Sequence, residues 1–367
     1  MEDKREFLET KARQARELAL TAIASFGNGH VGGSMSIMDA LAVLFYDAMR
    51  LDDQDPDWPQ RDRLVMSKGH VAPAIYAFLC LRGLLSREEL LTFNQNGTYL
   101  PSHCDRLKVH GIDMTAGSLG QGISAAAGMA KAAKMDGSDV RVYAVIGDGE
   151  CQEGEVWEAA LFAPHQKLDN LTVLLDYNKG QVDGFVADIE AVAPHEPKWE
   201  AFGWDVQRVD GHDVLAAAAA IEKAKTVSGK PQLIVLDTVK GKGFVPFEGK
   251  PSTHSIRQGF FSCRRCTRPT PAPAQSAQQQ PSVSPAASRT GCCAAAPMHG
   301  RSFTSAIRPG SWTSRASVIW RPELRSWTSL LFTVQPERSW TDWCTFRSAA
   351  WRTEPLPARR LDTGRAF

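Results

Sequence analysis

The sequence contains RVYAVIGDGE at residues 141–150 and LTVLLDYN at residues 171–178, and this pair carries its strongest fold signal. Each starts with a short apolar run of the length of a buried strand and ends in polar residues. A helical pattern lies between them, which predicts a βαβ unit with two parallel strands and a right-handed crossover. Further strand patterns at 205–209 and 233–236 alternate with a helical pattern after Asp213. We therefore predict an α/β fold, a doubly wound and mostly parallel sheet with helices on both faces.

Helical patterns fill much of the sequence before this unit. Residues 5–24 carry apolar side chains at helical spacing and predict an amphipathic helix. Ser36 with Asp39, and Ser86 with Glu89, have the three-residue spacing of capping pairs. These pairs predict that two further helices begin at the two serines.

Charge and composition divide the chain near residue 257. Residues 1–257 carry 27 Lys+Arg against 36 Asp+Glu, whereas residues 258–367 carry 15 against 5. The second segment has no Lys, Asn or Tyr, whose codons are AT-rich, and this bias indicates a shifted reading frame. We predict one folded domain over residues 1–256 and a low-complexity, disordered tail rich in Arg, Pro and Ser over residues 257–367.

Two alternative interpretations treat the second segment as a functional part of the protein. Its arginines would suit an arm that binds nucleic acid or a membrane surface, and Cys263 and Cys266 have the spacing of a zinc site. An arginine-only charge is more typical of compositional bias, and no periodic core surrounds the cysteines. No apolar run approaches the roughly 20 residues of a membrane span, and the first residues lack a secretory pattern. We therefore expect no nucleic acid, no membrane and a cytoplasmic protein.

Polar side chains stand directly after the first two predicted strands. Asp148 follows one strand and Asn178 follows the other, and ligands bind parallel sheets in the crevice outside these strand ends. A carboxylate, an amide oxygen and a nearby backbone carbonyl are hard ligands, which suit Mg²⁺ shared with a diphosphate. Taken alone, a Gly-Asp-Gly sequence after a strand favours a different interpretation, a simple turn.

Several short blocks give the sequence a specific resemblance. GDGE followed by LDYN resembles the thiamine diphosphate motif. Three further blocks resemble the transketolase family in order and spacing, namely GHVGGS at 29–34, SKGH at 67–70 and GSLGQG at 117–122. The resemblance covers about residues 7–256 and corresponds to the amino-terminal, diphosphate-binding subunit of a split transketolase, followed by the divergent tail.

The resemblance implies a cofactor site made of particular residues. The Mg²⁺ ligands would be Asp148, Asn178 and the carbonyl of Gly180. The groups near thiamine diphosphate would be His30, His70, Gly117, Ser118, Leu119, Gly149, Asn178 and His254. The implied catalytic residues are His30, His70, His103, Glu153 and His254.

Some of these implied roles are specific, and each residue also has a simpler interpretation. Glu153 would belong to a carboxylate network across a subunit boundary, and His103 would touch the hydroxyl groups of the sugar. An isolated histidine is more often a helix cap or a surface residue. The small residues at 117–122 could equally serve close helix packing, and the two roles are compatible.

The resemblance finally implies an activity in carbohydrate metabolism of the pentose phosphate type. The family moves a two-carbon ketol unit from a ketose phosphate to an aldose phosphate, and thiamine diphosphate stores the electrons of the broken C–C bond. A pyrimidine-binding half supplies a glutamate, and no stretch of this sequence resembles that half. We therefore expect a C-terminal-type partner subunit in a heterotetramer, or a homo-oligomer. The alternatives are an inactive cofactor-binding fragment of a frameshifted gene and an enzyme like deoxyxylulose phosphate synthase; the sugar stays open.

Overall fold

A five-stranded sheet organises residues 2–255, the part of the chain that this computed structural model describes. The strands are β1 (Arg63–Met66), β2 (Val142–Gly147), β3 (Leu171–Tyr177), β4 (Asp205–Asp210) and β5 (Gln232–Asp237). Their order is β1-β2-β3-β5-β4, and every neighbouring pair is parallel. The predicted α/β class and parallel sheet are confirmed. The sequence patterns missed β1, which adds to the sheet beside β2.

Ten α-helices accompany the sheet in the described residues. They are α1 (Glu2–Phe26), α2 (Val31–Ser36), α3 (Met38–Val43), α4 (Ala72–Leu81), α5 (Arg87–Leu90), α6 (Gln121–Met135), α7 (Gly154–His165), α8 (Val186–Ile189), α9 (Glu196–Phe202) and α10 (Val214–Lys225). A π-helical turn, Leu44–Ala48, continues α3. Short 3₁₀ turns occupy Gly69–Val71, Gly149–Gln152 and Pro251–Thr253. The predicted helix at 5–24 lies within α1.

Alternating side chains of the strands face two separate apolar cores. Tyr143 and Val145 of β2 pack with residues of α1, α3, α4 and α10 on one face of the sheet. Val142, Ala144 and Ile146 of the same strand pack with α6, α7 and α9 on the other. A strand that is buried on both faces reads as a continuous apolar run, which is why the sequence identified β2 and β3 so clearly.

The two predicted capping pairs have different outcomes. Ser86 and Glu89 form a complete capping box at the start of α5, as predicted. The prediction for Ser36 is wrong, because Ser36 is the last residue of α2 and caps no helix start. Its hydroxyl donates instead to the buried carboxylate of Asp176 at 2.6 Å, and the carbonyl of Gly33 lies 3.1 Å from the same oxygen. A buried carboxylate needs hydrogen-bond donors, so Asp176 binds the hydroxyl of Ser36 that would otherwise be available to cap a helix.

Two further sequence predictions concern the C-terminal tail and membrane-spanning helices. The predicted tail, residues 257–367, and its cysteine pair lie outside the described residues. Among residues 2–255, no helix is both long enough and apolar enough to cross a membrane.

Helix α6 begins in close contact with the loop that follows β1. A Cβ atom on Gly122 would come within 2.4 Å of the Cα atom of Ser67. A Cβ atom on Gly69, in that loop, would come within 2.1 Å of the carbonyl oxygen of Ala116. Within the stretch 117–122, Gly122 therefore serves close packing, which was one of the two roles open for these small residues.

This contact predicts opposite effects for two glycines of α6. Gly122→Ala should destabilise the protein by about 1–3 kcal/mol, because the added methyl group forces two backbone segments apart. Gly128→Ala should stabilise it by about 0.5–1 kcal/mol, because Gly128 is exposed, has open space around it and lies inside a helix. Urea unfolding of both variants measures the difference. Equal effects of the two substitutions would contradict the close contact.

Candidate functional site

The carboxyl ends of the strands surround a cavity of about 240 Å³. Its lining includes eight residues that the sequence predicted for the site, namely His70, Leu119, Asp148, Gly149, Glu153, Asn178, Gly180 and His254. It also includes several that the sequence did not single out, among them Lys68, Glu150, Gln181 and Lys240. The loops after β1, β2, β3 and β5 thus contribute to one site.

Asp148 is a buried carboxylate held by two backbone amides. The N–H groups of Gly149 and Lys179 donate to its two oxygens at 2.8 Å and 2.5 Å. Burial, followed by the nearby charge of Asp176, raises the pKa of Asp148 to about 7. A cation beside this carboxylate would lower that pKa and favour the charged form.

Asn178 lies next to Asp148 with a fixed amide orientation. Its Nδ2 donates to the carboxylate of Asp176 at 2.9 Å and to the hydroxyl of Ser36 at 3.3 Å. Its Oδ1 accepts from the backbone N–H of Gly180 at 3.1 Å. Because Asp176 can only accept in its ionised form, the amide nitrogen must face it, and the amide oxygen remains on the side of Gly180.

A buried ion pair between Lys68 and Asp176 supports this arrangement. The side chains are 2% and 0% exposed, and the ammonium group of Lys68 also donates to the carbonyl of Gly33 at 3.1 Å. The hydroxyls of Ser36 and Thr238 donate to the same carboxylate. Although burial alone would raise it, Lys68 and these hydroxyls hold the pKa of Asp176 below its ordinary value. No sequence pattern predicted a role for either residue of the pair.

Lys240 is a second buried lysine at the cavity, from the segment after β5. Its ammonium group donates to the carbonyl of Gln181 at 2.9 Å, and burial lowers its pKa to about 8. Gly180 lies against this side chain, since a Cβ atom there would come within 2.7 Å of Lys240 Cδ. The rule that ligands bind at strand ends, applied to β5 as well, could have identified Lys240.

Four predicted histidines form one cluster beside the cavity. The ring of His30 lies 5.2 Å from that of His70, 5.4 Å from that of His103 and 5.2 Å from that of His254, centroid to centroid. Burial lowers the pKa of all four, to about 4 for His30 and about 3 for His254. At neutral pH the cluster therefore presents uncharged rings that can donate and accept hydrogen bonds.

The remaining predicted residues lie around the rim. Gly117 and Ser118 are exposed, and a Cβ atom on Gly117 would lie 3.6 Å from the ring of His103. Leu119 reaches the cavity itself. Glu153 is exposed at the rim and lies against Gly120, whose φ of +85° belongs to the left-handed region that glycine tolerates.

The donor set fits a divalent cation that is shared with an anionic ligand. Among residues 2–255, no group of three or more His, Cys, Asp and Glu side chains could hold a metal by itself. The predicted set has one carboxylate, one amide oxygen and one backbone carbonyl, so a cation here would need further oxygens from a ligand or water. Lys68 and Lys240 supply positive charge, and the uncharged histidine rings supply hydrogen-bond donors, both of which phosphate oxygens require.

Comparisons with known proteins show the family to which this sequence is similar. The sequence profile of the family described as "Transketolase, thiamine diphosphate binding domain" matches residues 8–259. The chain is 51% identical over 250 residues to the 6-deoxy-6-sulfo-D-fructose transketolase subunit SqwG of Clostridium sp. (strain MSTE9), covering 68% of this chain and 91% of that one. It is 36% identical over 249 residues to an apulose-4-phosphate transketolase subunit of Phocaeicola vulgatus, covering 68% of this chain and 88% of that one.

A solved structure gives the same result for the fold. The transketolase from Leishmania mexicana superposes with a TM-score of 0.65 at 34% identity, over 68% of this chain. The chain spans 39% of the length of that transketolase. The likeness therefore concerns one part of a larger enzyme.

The buried ion pair predicts a large and specific loss of stability. Lys68→Met should lower the free energy of unfolding by about 3–5 kcal/mol, because it leaves Asp176 buried without its cation. Asp139→Asn is the matched control, since its pair with Arg50 is exposed to solvent and should contribute little to stability. Chemical unfolding at pH 7 measures both. A small change in the Lys68 variant would contradict a supporting role for the pair.

The histidine cluster predicts a loss of stability on mild acidification. The pKa values of His30 and His254 are lower in the folded state than the ordinary value of about 6.5, so the unfolded chain binds more protons below that pH. The free energy of unfolding should therefore fall as the pH drops from about 6.5 to about 4. The double variant His30→Gln, His254→Gln should lose less over this range, as measured by urea unfolding at several pH values. An unchanged slope in that variant would contradict the prediction.

Proposed function

This chain belongs to the transketolase family, whose thiamine diphosphate-binding domain it carries, and we propose that it is the cofactor-binding subunit of a two-subunit transketolase. The observation that carries the proposal is the cavity at the strand ends, which joins an oxygen-rich wall around Asp148 to a wall of lysines and histidines. These two walls suit the two needs of a magnesium-bound diphosphate, cation ligands and anion donors.

Mg²⁺ would be held by the carboxylate of Asp148, the amide oxygen of Asn178 and the carbonyl of Gly180. The amide orientation of Asn178, fixed by its bond to Asp176, supports this assignment. Lys68, Lys240 and His70 line the same cavity, and we propose that they contact the diphosphate. Gly149 and Leu119 would border the cofactor, with Gly117 and Ser118 at the rim.

When bound, thiamine diphosphate would supply the electron sink needed to break the C–C bond beside a ketose carbonyl. The residues of this chain would orient the sugar. His30, His103 and His254 have lowered pKa values, so at neutral pH their uncharged rings can donate hydrogen bonds to sugar hydroxyls and accept them in turn. The net result would be transfer of a two-carbon ketol unit to an aldose.

A second subunit would complete the active site. Two relatives that this chain covers over most of their length are named as subunits, and the longer transketolase extends well beyond the shared region. We propose that a pyrimidine-binding subunit supplies the glutamate for the cofactor ring. Glu153, exposed at the rim of the cavity, is suited to take part in carboxylate contacts across that boundary. The assembly would be a heterotetramer or a related oligomer.

The donor would be a ketose with an anionic terminal group. The identity of 51% to a 6-deoxy-6-sulfo-D-fructose transketolase subunit, against 36% to an apulose-4-phosphate one, favours a sulfonated ketose over a phosphorylated one. A sulfonate and a phosphate share tetrahedral oxygens and differ in charge, so a single assay series separates them.

The test is reconstitution of this chain with a pyrimidine-binding transketolase subunit from the same organism. We expect transfer from 6-deoxy-6-sulfo-D-fructose to an aldose phosphate acceptor that depends on both subunits, thiamine diphosphate and Mg²⁺. Fructose 6-phosphate serves as the phosphorylated control donor and should react more slowly. Cofactor binding without transfer from either donor would contradict the proposed activity and favour an inactive cofactor-binding protein.

Asp148→Ala provides the matching loss-of-function variant. It removes the single carboxylate of the proposed cation site, and we expect cofactor affinity in Mg²⁺ to fall by about 10- to 100-fold or more. Calorimetric titration with and without Mg²⁺ measures this directly. If the variant bound the cofactor as tightly as the parent chain, Asp148 would not be the metal ligand.

A further inference from the structure

Glu150 is a fully buried carboxylate at the cavity with no role yet assigned to it. It lies in the short turn Gly149–Gln152 after β2, and its side chain is 2% exposed. Its Oε1 accepts from the backbone N–H of Gly120 at 2.9 Å and from the hydroxyl of Ser67. Its Oε2 accepts from the backbone N–H of Gly147 at 3.0 Å.

These three donors belong to three different segments of the chain. Ser67 follows β1, Gly120 precedes α6, and Gly147 ends β2. Each donor is the immediate chain neighbour of a residue that lines the cavity: Lys68, Leu119 and Asp148, respectively. One carboxylate therefore anchors the position next to each of three cavity-lining groups.

The loops are also packed tightly around this point. Ser67 Oγ, which donates to Glu150, accepts in turn from the N–H of Ile123 at 3.1 Å. Gly122 and Gly69 leave no room for a side chain where the two loops meet. Loss of the carboxylate would therefore leave several buried donors unsatisfied at once, which is costly in a site of low dielectric.

We propose that Glu150 is a positioning residue: before the cofactor binds, it already holds these three segments in the geometry that thiamine diphosphate requires. The inference rests on the proposed function of this site. Its physical basis is preorganisation, since loops that are already held in place need not be ordered at the expense of binding free energy.

Glu150→Gln is the informative substitution because it keeps the shape of the side chain and replaces one acceptor oxygen with an NH₂ group, which is a donor. The new NH₂ group must face the N–H of either Gly147 or Gly120, so one buried donor meets another. Asp62→Asn is the matched control. Asp62 is also 2% exposed and also accepts from two backbone amides, those of Arg50 and Arg141 at 2.9 Å, but at the opposite ends of β1 and β2.

The experiment compares cofactor affinity with stability in the full chain. Both variants should lower the melting temperature. Only Glu150→Gln should weaken binding of thiamine diphosphate in Mg²⁺, by about 10- to 100-fold, as in other outer-shell substitutions. Equal cofactor affinity of the two variants and the parent chain would overturn the inference while leaving the proposed function intact. Absence of binding by the parent chain would instead overturn the proposed function, and the inference with it.

Two measurements keep the test decisive if Glu150→Gln fails to fold. Ser67→Ala retains the carboxylate and removes one of its three donors, so it should produce a weaker loss of affinity in the same direction. Hydrogen exchange of the unmodified chain should also show that the amides of Gly120 and Gly147 are protected without cofactor. Unchanged affinity in the Ser67 variant, or protection of these amides only after the cofactor binds, would overturn the inference.

Discussion

Parallel pairing of β2 with β3 is the constraint on which the site depends. The register sets Gly147 opposite Asp176, so the next residues along both strands leave the sheet at the same edge. Asp148 and Asn178 become neighbours although a helix and a loop separate them in sequence. Strands β1 and β5 extend the same edge and bring Lys68 and Lys240 to it.

Three buried carboxylates at this edge are stabilised in different ways. Asp176 is paired with Lys68 and receives hydroxyl donors, which lowers its pKa. Glu150 is satisfied by three hydrogen bonds from surrounding loops. Asp148 receives two backbone N–H groups and has its pKa raised to about 7. A nearby cation stabilises the charged form of a buried carboxylate whose pKa is raised. The environment of Asp148 therefore suits a metal ion.

The sequence predicted those structural elements whose residues form a recognisable local pattern. Strands β2 and β3 are buried on both faces and read as apolar runs, whereas β1 has only four residues beside charged neighbours and was missed. The four histidines and Gly180 came from resemblance to a family, whereas Asp148 and Asn178 also followed from their positions after parallel strands. The structure brings the histidines together in one cluster and sets the other three residues around one cavity. The pair of Lys68 and Asp176 joins residues 108 positions apart, and the hydroxyl of Ser36 reaches 140 positions away, so no local pattern could reveal either contact.

Anomalous diffraction from crystals grown with Mn²⁺ and thiamine diphosphate addresses the central point most directly. Mn²⁺ prefers the same oxygen ligands as Mg²⁺ and has a usable anomalous signal. We expect one strong peak within coordination distance of the oxygens of Asp148, Asn178 and Gly180, bridged to the diphosphate. A bound cofactor whose metal lies away from Asp148, or a diphosphate held without any metal, would contradict this view of the site.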